Sequence, residues 1–293
     1  MKRLVLITSL GLMACTAEDA GEVEFIQGTA TLESRVGSFL AEYRAQTGVT
    51  EVHAQFLWTR GISGEHALRA LDVWTPEREL EIDVCTILDV SQPEVEVVSL
   101  ELLDVGPIRV GIHEAEAVLE ARRLPDIWEG VTGVVYGNER SVDSEWVSVP
   151  FYDGEEYVIS APGRELGGFY ASVRAPQMPY LIRADMGEWI APNMLTVNGD
   201  APLSLRWETP AAPADLMFVE VTGTGGSGTR LVCRVQDDGE FHLPSNILNA
   251  VRESSESLDV TLRRVNVVDI SIDGMDASEV VFAARDGFTL ALP

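Results

Sequence analysis

A chain of 293 residues, 46% apolar and 23% charged, can bury a sizeable core and lacks the profile of a disordered protein. Its 21 Lys and Arg stand against 47 Asp and Glu, a formal net charge of −26. That balance excludes nucleic acid as a partner, because a phosphate backbone demands neutralising cations. Lys2 is the only lysine, so arginine supplies the side-chain cations of the body.

Lys2 and Arg3 precede the apolar run Leu4–Leu12, which is too short to cross a hydrocarbon layer of about 30 Å as a helix. The next residues, Leu12-Met13-Ala14-Cys15, resemble the lipobox of bacterial lipoproteins, with Met13 a less usual occupant of its position. The resemblance implies a signal peptide over 1–14, cleavage before Cys15, lipid such as palmitate on Cys15 and a polar tether over 15–22. An ordinary secretory signal with an incidental cysteine is the alternative. Thr16 stands where an Asp would retain a lipoprotein at the inner membrane. The implied location is therefore the cell envelope, at the outer membrane or the cell surface, with the membrane as a partner through the lipid anchor.

Leu32, Val36, Phe39, Leu40 and Tyr43 fall at helical spacing, interrupted by Gly37. Alternation of period two then predicts strands over 52–58, 80–88, 95–103, 107–112, 131–137, 145–152, 155–160 and 168–174, with a short helix over 113–123. Asp153-Gly154 lies between two such strands as a hairpin signal. The polar, turn-rich run Thr196–Pro202 predicts a domain boundary. Beyond it, strands are predicted over 203–208, 216–222, 229–236, 239–244, 258–265, 266–272, 278–285 and 288–292, with Ser245 capping a helical turn through Val251. The expected fold class is mainly β, with two β-sandwich-like domains over 23–196 and 203–293. The short strands of the second, with Leu203, Leu205 and Trp207 alternating inward, resemble an immunoglobulin or fibronectin type III domain.

With Cys15 assigned to lipid, Cys85 and Cys233 remain, and an oxidising compartment permits a bond between them. Their faces argue against it. Leu80, Ile82 and Val84 mark an apolar face that leaves Cys85 on the polar side, whereas Cys233 shares the apolar face of Leu231 and Val235. The two also fall in different expected domains.

Three phrases, Leu102-Leu103-Asp104-Val105-Gly106, Tyr157-Val158-Ile159-Ser160-Ala161-Pro162-Gly163 and Cys233-Arg234-Val235-Gln236-Asp237-Asp238-Gly239-Glu240-Phe241, resemble a family of uncharacterised bacterial secreted lipoproteins. That family brings an address and a fold expectation, and no activity.

Candidate sites are few. Gly223-Thr224-Gly225-Gly226-Ser227-Gly228 matches a dinucleotide fingerprint in letters, but the following Thr229–Cys233 reads as a strand, not as the helix whose amides bind pyrophosphate. His113-Glu114 begins like a zincin motif, yet Ala117 occupies the second histidine position. His53, His66 and His242 are scattered. Ser227 lacks the glycine of a nucleophile elbow. Asp269, Asp273, Asp276 and Glu279 surround Gly274 as possible calcium ligands, although EF-hand spacing is absent and turn chemistry explains them equally. Trp146, Trp128 and Trp189 are candidate platforms for sugar rings or anchors of an interface; for Trp146, burial under a second sheet is the plainer reading.

No catalytic group and no cofactor is expected. The leading expectation is a non-enzymatic envelope lipoprotein acting as a binding or structural module toward an envelope protein or glycan. Two alternatives are a carbohydrate-binding module and a hydrolase whose carboxylates converge only in three dimensions.

Overall fold

The computed structural model describes residues 33–61, 79–88, 99–124, 131–138, 147–185, 189–196, 202–225, 229–252 and 255–292. The expected signal peptide, Cys15 and the tether lie outside them. The protein is mainly β, as expected, with one helix, α1 (Ser245–Arg252), among the described residues. Ser245 opens that helix as the sequence suggested, and Leu248 and Val251 are its buried residues.

The first expected helix is a strand. β1 (Glu33–Arg44) pairs antiparallel with β2 (Val49–Arg60) along its whole length. Residues 36–39 are buried regardless of which face they occupy, so apolar positions do not alternate and the spacing imitates a helix. Gly37 marks a close approach: a Cβ there would lie 2.7 Å from the Phe56 ring and 2.8 Å from the Ser278 hydroxyl. The second expected helix is also a hairpin. β5 (Ile108–Ile112) and β6 (Ala115–Leu119) are joined by His113-Glu114, with His113 at φ 51°.

Asp153-Gly154 turns as expected, with Gly154 at φ 74°. The preceding residues 147–152, however, form no ladder. Instead β9 (Glu156–Gly163) pairs with β10 (Gly167–Arg174) and with β5, and Pro150 contributes only its carbonyl, which accepts from the Tyr157 hydroxyl at 2.7 Å.

The largest departure lies at the C-terminus. Four expected strands are two long ones, β18 (Ser257–Ile270) and β19 (Ala277–Ala291), paired without interruption from Ser257↔Ala291 to Ile270↔Ser278. Asp286-Gly287 reads as a break, yet pairs in the ladder with Leu262 and Thr261, where only glycine fits because a Cβ on Gly287 would lie 2.3 Å from the Val260 carbonyl. Among the described residues, 203–293 therefore hold six strands rather than eight: β14 (Leu203–Trp207), β15 (Leu216–Thr224), β16 (Arg230–Arg234), β17 (Glu240–Leu243), β18 and β19.

One sheet runs through the molecule. With β3 (Val84–Leu88), β4 (Ser99–Leu102), β7 (Arg122–Arg123) and β8 (Val131–Gly137), its order is β3-β16-β15-β18-β19-β1-β2-β4-β8-β7. The C-terminal half of β19 also pairs with β13 (Met194–Thr196), which carries β12 (Trp189–Ala191). A four-stranded sheet, β10-β9-β5-β6, and a three-stranded sheet, β14 flanked by β11 (Leu181–Asp185) and β17, complete the fold.

Two cores result. The first gathers Phe39, Phe56, Tyr157, Phe169 and Phe282 from the large and four-stranded sheets. The second gathers Leu205, Trp207, Val219, Leu231, Leu248 and Leu290 from the three-stranded sheet, α1 and the large sheet. The β18–β19 hairpin feeds both, with Val280 and Phe282 in the first and Leu258, Val260 and Phe288 in the second. Residues 32–293 form one compact unit, and 197–201, at the expected boundary, lie outside the described residues.

Candidate functional site

Of the three candidate tryptophans, Trp128 and Trp146 lie outside the described residues. Trp189 belongs to β12 and is 45% exposed, with its ring centroid 5.3 Å from that of Phe288. Ile190 and Met194 beside it are also exposed. The four acidic residues around Gly274 do not form a cage. Asp276 is committed to β1: its amide donates to the Arg35 carbonyl and its carboxylate accepts from the Arg35 amide, both at 2.8 Å. The Asp273 carbonyl accepts from the Gly167 amide, and Asp269 pairs across the hairpin with Glu279, which is buried. Among the described residues no three His, Cys, Asp or Glu side chains converge to hold a metal ion.

The cysteines overturn the sequence reading. Cys85 and Cys233 are bonded across β3 and β16, directly opposite one another with Cα atoms 3.9 Å apart. Alternation failed here because the strand begins only at Val84, after Asp83 at φ 64°. The apolar residues taken to face inward are turned out, with Ile82 54% and Val84 39% exposed, while Cys85 packs on the second core. The domain argument fails as well, because β3 joins the large sheet next to β16.

Three polar clusters that sequence reasoning missed tie distant parts of the chain together. Asp104 accepts from the Tyr136 hydroxyl (2.7 Å), the Gly106 amide (2.7 Å) and Arg164 Nη1 (2.9 Å), while Glu165 accepts from the Asp104 amide. Burial raises the Asp104 pKa, but these donors outweigh it and hold the carboxyl below its ordinary value. The Tyr136 hydroxyl is pushed far up, by burial first and by Asp104 second. Two of the quoted phrases meet at this cluster, where the Gly163 amide donates to the Val105 carbonyl.

The second cluster surrounds Arg264, 1% exposed. Its guanidinium grips Asp237 with two bonds of 2.8 and 2.9 Å and donates to the Met178 carbonyl at 2.8 Å, and Trp207 Nε1 donates to the same carboxylate at 2.9 Å. A third group, Glu42, Glu220, Arg230 and Arg263, spans the large sheet; Arg263 lies 2.8 Å from Glu42 and Arg230 lies 3.0 Å from Glu220. Burial opposes ionisation of Glu220, yet Arg230 and Arg263 prevail and lower its pKa. Both displaced carboxyls are thus held ionised as ion-pair partners, the opposite of the raised pKa that a general acid needs.

The remaining feature is a groove of about 440 Å³ where β3 and β17 leave the sandwich open, lined in part by Asp83, Cys85, Asp238, Glu240, His242 and Ile247. His242 Nδ1 lies 2.8 Å from the Ser204 hydroxyl across β14 and β17. Among the described residues no carboxylate bonds the other ring nitrogen, so the pair lacks the orienting third member of a nucleophilic triad. A shallower hollow lies at His113 and Tyr152, whose rings meet edge to face.

Comparison with models of known protein families, with curated proteins and with solved structures gives no match. Among the described residues no helix is long and apolar enough to cross a membrane.

Proposed function

We propose that the chain is an exported, lipid-anchored protein of the cell envelope whose β body serves as a non-enzymatic binding or structural module. The observation that carries this reading is the use of the three cysteines. The body commits Cys85 and Cys233 to each other, which leaves Cys15 as the one thiol available, and that thiol stands in Leu12-Met13-Ala14-Cys15. A disulfide in the body agrees with an oxidising compartment. The resemblance to secreted lipoproteins and an immunoglobulin-like reading of 203–293 belong to the same proposal; a core closed between the three-stranded and large sheets favours the latter.

Radiolabelled palmitate tests it. Incorporation and detergent partitioning are expected in the native protein and lost in Cys15→Ala; unchanged labelling overturns the anchor. Crosslinking from intact membranes is expected to recover an envelope protein or glycan with the anchored form.

A carbohydrate-binding role is a second reading, supported by Trp189, whose exposed ring suits stacking on a sugar. A glycan array that is bound by the native protein and not by Trp189→Ala supports it, and a blank array sinks it.

A further inference from the structure

We infer that the β3 edge of the large sheet is a docking strand for an extended, basic polypeptide segment, which adds to the sheet beside Val84–Leu88. This inference rests on the binding-module reading but not on the lipid anchor.

Among the described residues, β3 is the terminal strand of the sheet. The Cα separation of 3.9 Å between Cys85 and Cys233 lies on the side of the close, non-hydrogen-bonded antiparallel pair (about 4.5 Å) and far from the hydrogen-bonded one (about 5.5 Å). At such a pair the backbone N–H and C=O point away from the neighbouring strand. Cys85, and by alternation Ile87, therefore turn their ladder groups to the open side, where no described strand receives them. Exposed edges of this kind are templates for strand addition. Proteins that guard an edge place Lys or Pro along it, and β3, Val-Cys-Thr-Ile-Leu, has neither.

The side chains around the edge define the partner. Ile82, Val84 and Ile87 are 54%, 39% and 48% exposed and offer branched apolar contacts. Glu79, Glu81 and Asp83 beside them are exposed, as are Asp238 and Glu240 on the rim of the adjoining groove. Of the arginines beside them, Arg234 donates to the Leu80 carbonyl, and Arg206 makes a loose, exposed pair with Glu240 at 3.7 Å. Val84 and Ile87 lie on opposite faces of β3, so an incoming strand with a β-branched core flanked by Arg or Lys matches both the apolar contacts and the carboxylates. A second copy of this chain, at a net charge of −26, repels the carboxylates. The disulfide fixes β3 before the partner arrives, which lowers the ordering cost of binding.

The test uses the full chain carrying Cys15→Ser and two synthetic peptides. Both peptides share a core of alternating Val and Thr; one is flanked by arginines and the other by glutamates. Fluorescence anisotropy and backbone hydrogen exchange are read together. The arginine peptide is expected to bind at least about tenfold tighter than its glutamate twin, to weaken with added salt and to slow exchange at Cys85 and Ile87. Ile87→Lys is expected to abolish binding. Asp238→Asn with Glu240→Gln, just before and at the start of β17, is expected to weaken it while protection at β3 persists. Equal affinity for the two peptides, protection confined to another edge, or no anisotropy change for either peptide with folded, disulfide-bonded protein overturns the inference. Each of those results leaves the Cys15 labelling experiment untouched, so failure here and failure of the anchor are separable.

Discussion

The two cores share a hairpin but are closed by different means. The first is built around aromatic rings, Phe39, Phe56, Tyr136, Tyr157, Phe169 and Phe282, and is locked by hydrogen bonds around Asp104. The second is mainly Leu and Val around Trp207, and is closed by a covalent bond at its outer strand and a buried ion pair at Arg264. The difference follows the sheet. The first core lies where β1 and β2 have neighbours on both sides, whereas the second reaches β3, the terminal strand among the described residues. A short edge strand is held by few ladder bonds, and there the chain has its disulfide.

Arg264→Ala should do the most damage, because it strands the Asp237 carboxylate and removes donors from the Met178 and Glu208 carbonyls. Breaking a buried pair of this type costs about 3–5 kcal/mol. Thermal unfolding followed by circular dichroism should show the loss, and the single transition expected of the native body should divide in two if Arg264 couples the cores. Next comes the pair Cys85→Ser and Cys233→Ser. The bond joins residues 148 apart, and its removal should cost roughly 2–5 kcal/mol. Hydrogen exchange should accelerate first in β3 and β16, with little change in the four-stranded sheet. Tyr136→Phe should cost about 1–3 kcal/mol by leaving an Asp104 lone pair and the Val105 amide without their partner, with the first core loosening before the second.

The pH dependence separates the same regions. Asp104 and Glu220 have folded pKa values below their ordinary ones, so each stabilises the fold above the unfolded carboxyl value of about 4 and loses that contribution as pH falls through the folded value. Tyr136 and Tyr157 are raised, Tyr157 to about 12, chiefly by burial. The fold holds their neutral form, so their contribution is present below about pH 10 and is lost as pH rises through the raised values. Both tyrosines belong to the first core; alkaline titration should therefore melt the four-stranded sheet while the disulfide-linked edge persists. Trp189→Ala should have the smallest effect, under about 1 kcal/mol, since its ring is half exposed and loses only the Phe288 contact.

Legibility followed burial. Strands with one wet face, such as Leu203–Trp207 and Gly167–Arg174, alternate cleanly and were read nearly to the residue. β1 was missed because residues 36–39 are all buried, and a buried strand carries no period. The hairpin at His113-Glu114 lacks the usual Asn-Gly or Asp-Gly signal. The length of β18 and β19 was hidden because Asn266 and Asp286-Gly287 resemble turns locally, whereas tertiary pairing keeps them in the ladder. The clusters at Asp104 and Arg264 were not legible, because their members lie up to 87 residues apart and converge only through the sheets. The disulfide was read the wrong way for two reasons: the left-handed Asp83 ends the alternation one residue before β3, and β3 joins the large sheet beside β16 across the expected domain boundary.

The most direct test of the lipid-anchored reading is intact-mass spectrometry with peptide mapping of the protein taken from cell membranes under non-reducing conditions. The expected result is a chain that begins at Cys15, carries lipid on that residue and yields one crosslinked peptide containing Cys85 and Cys233. An unmodified Cys15, a cleavage site elsewhere, or Cys15 bonded to either body cysteine would contradict it.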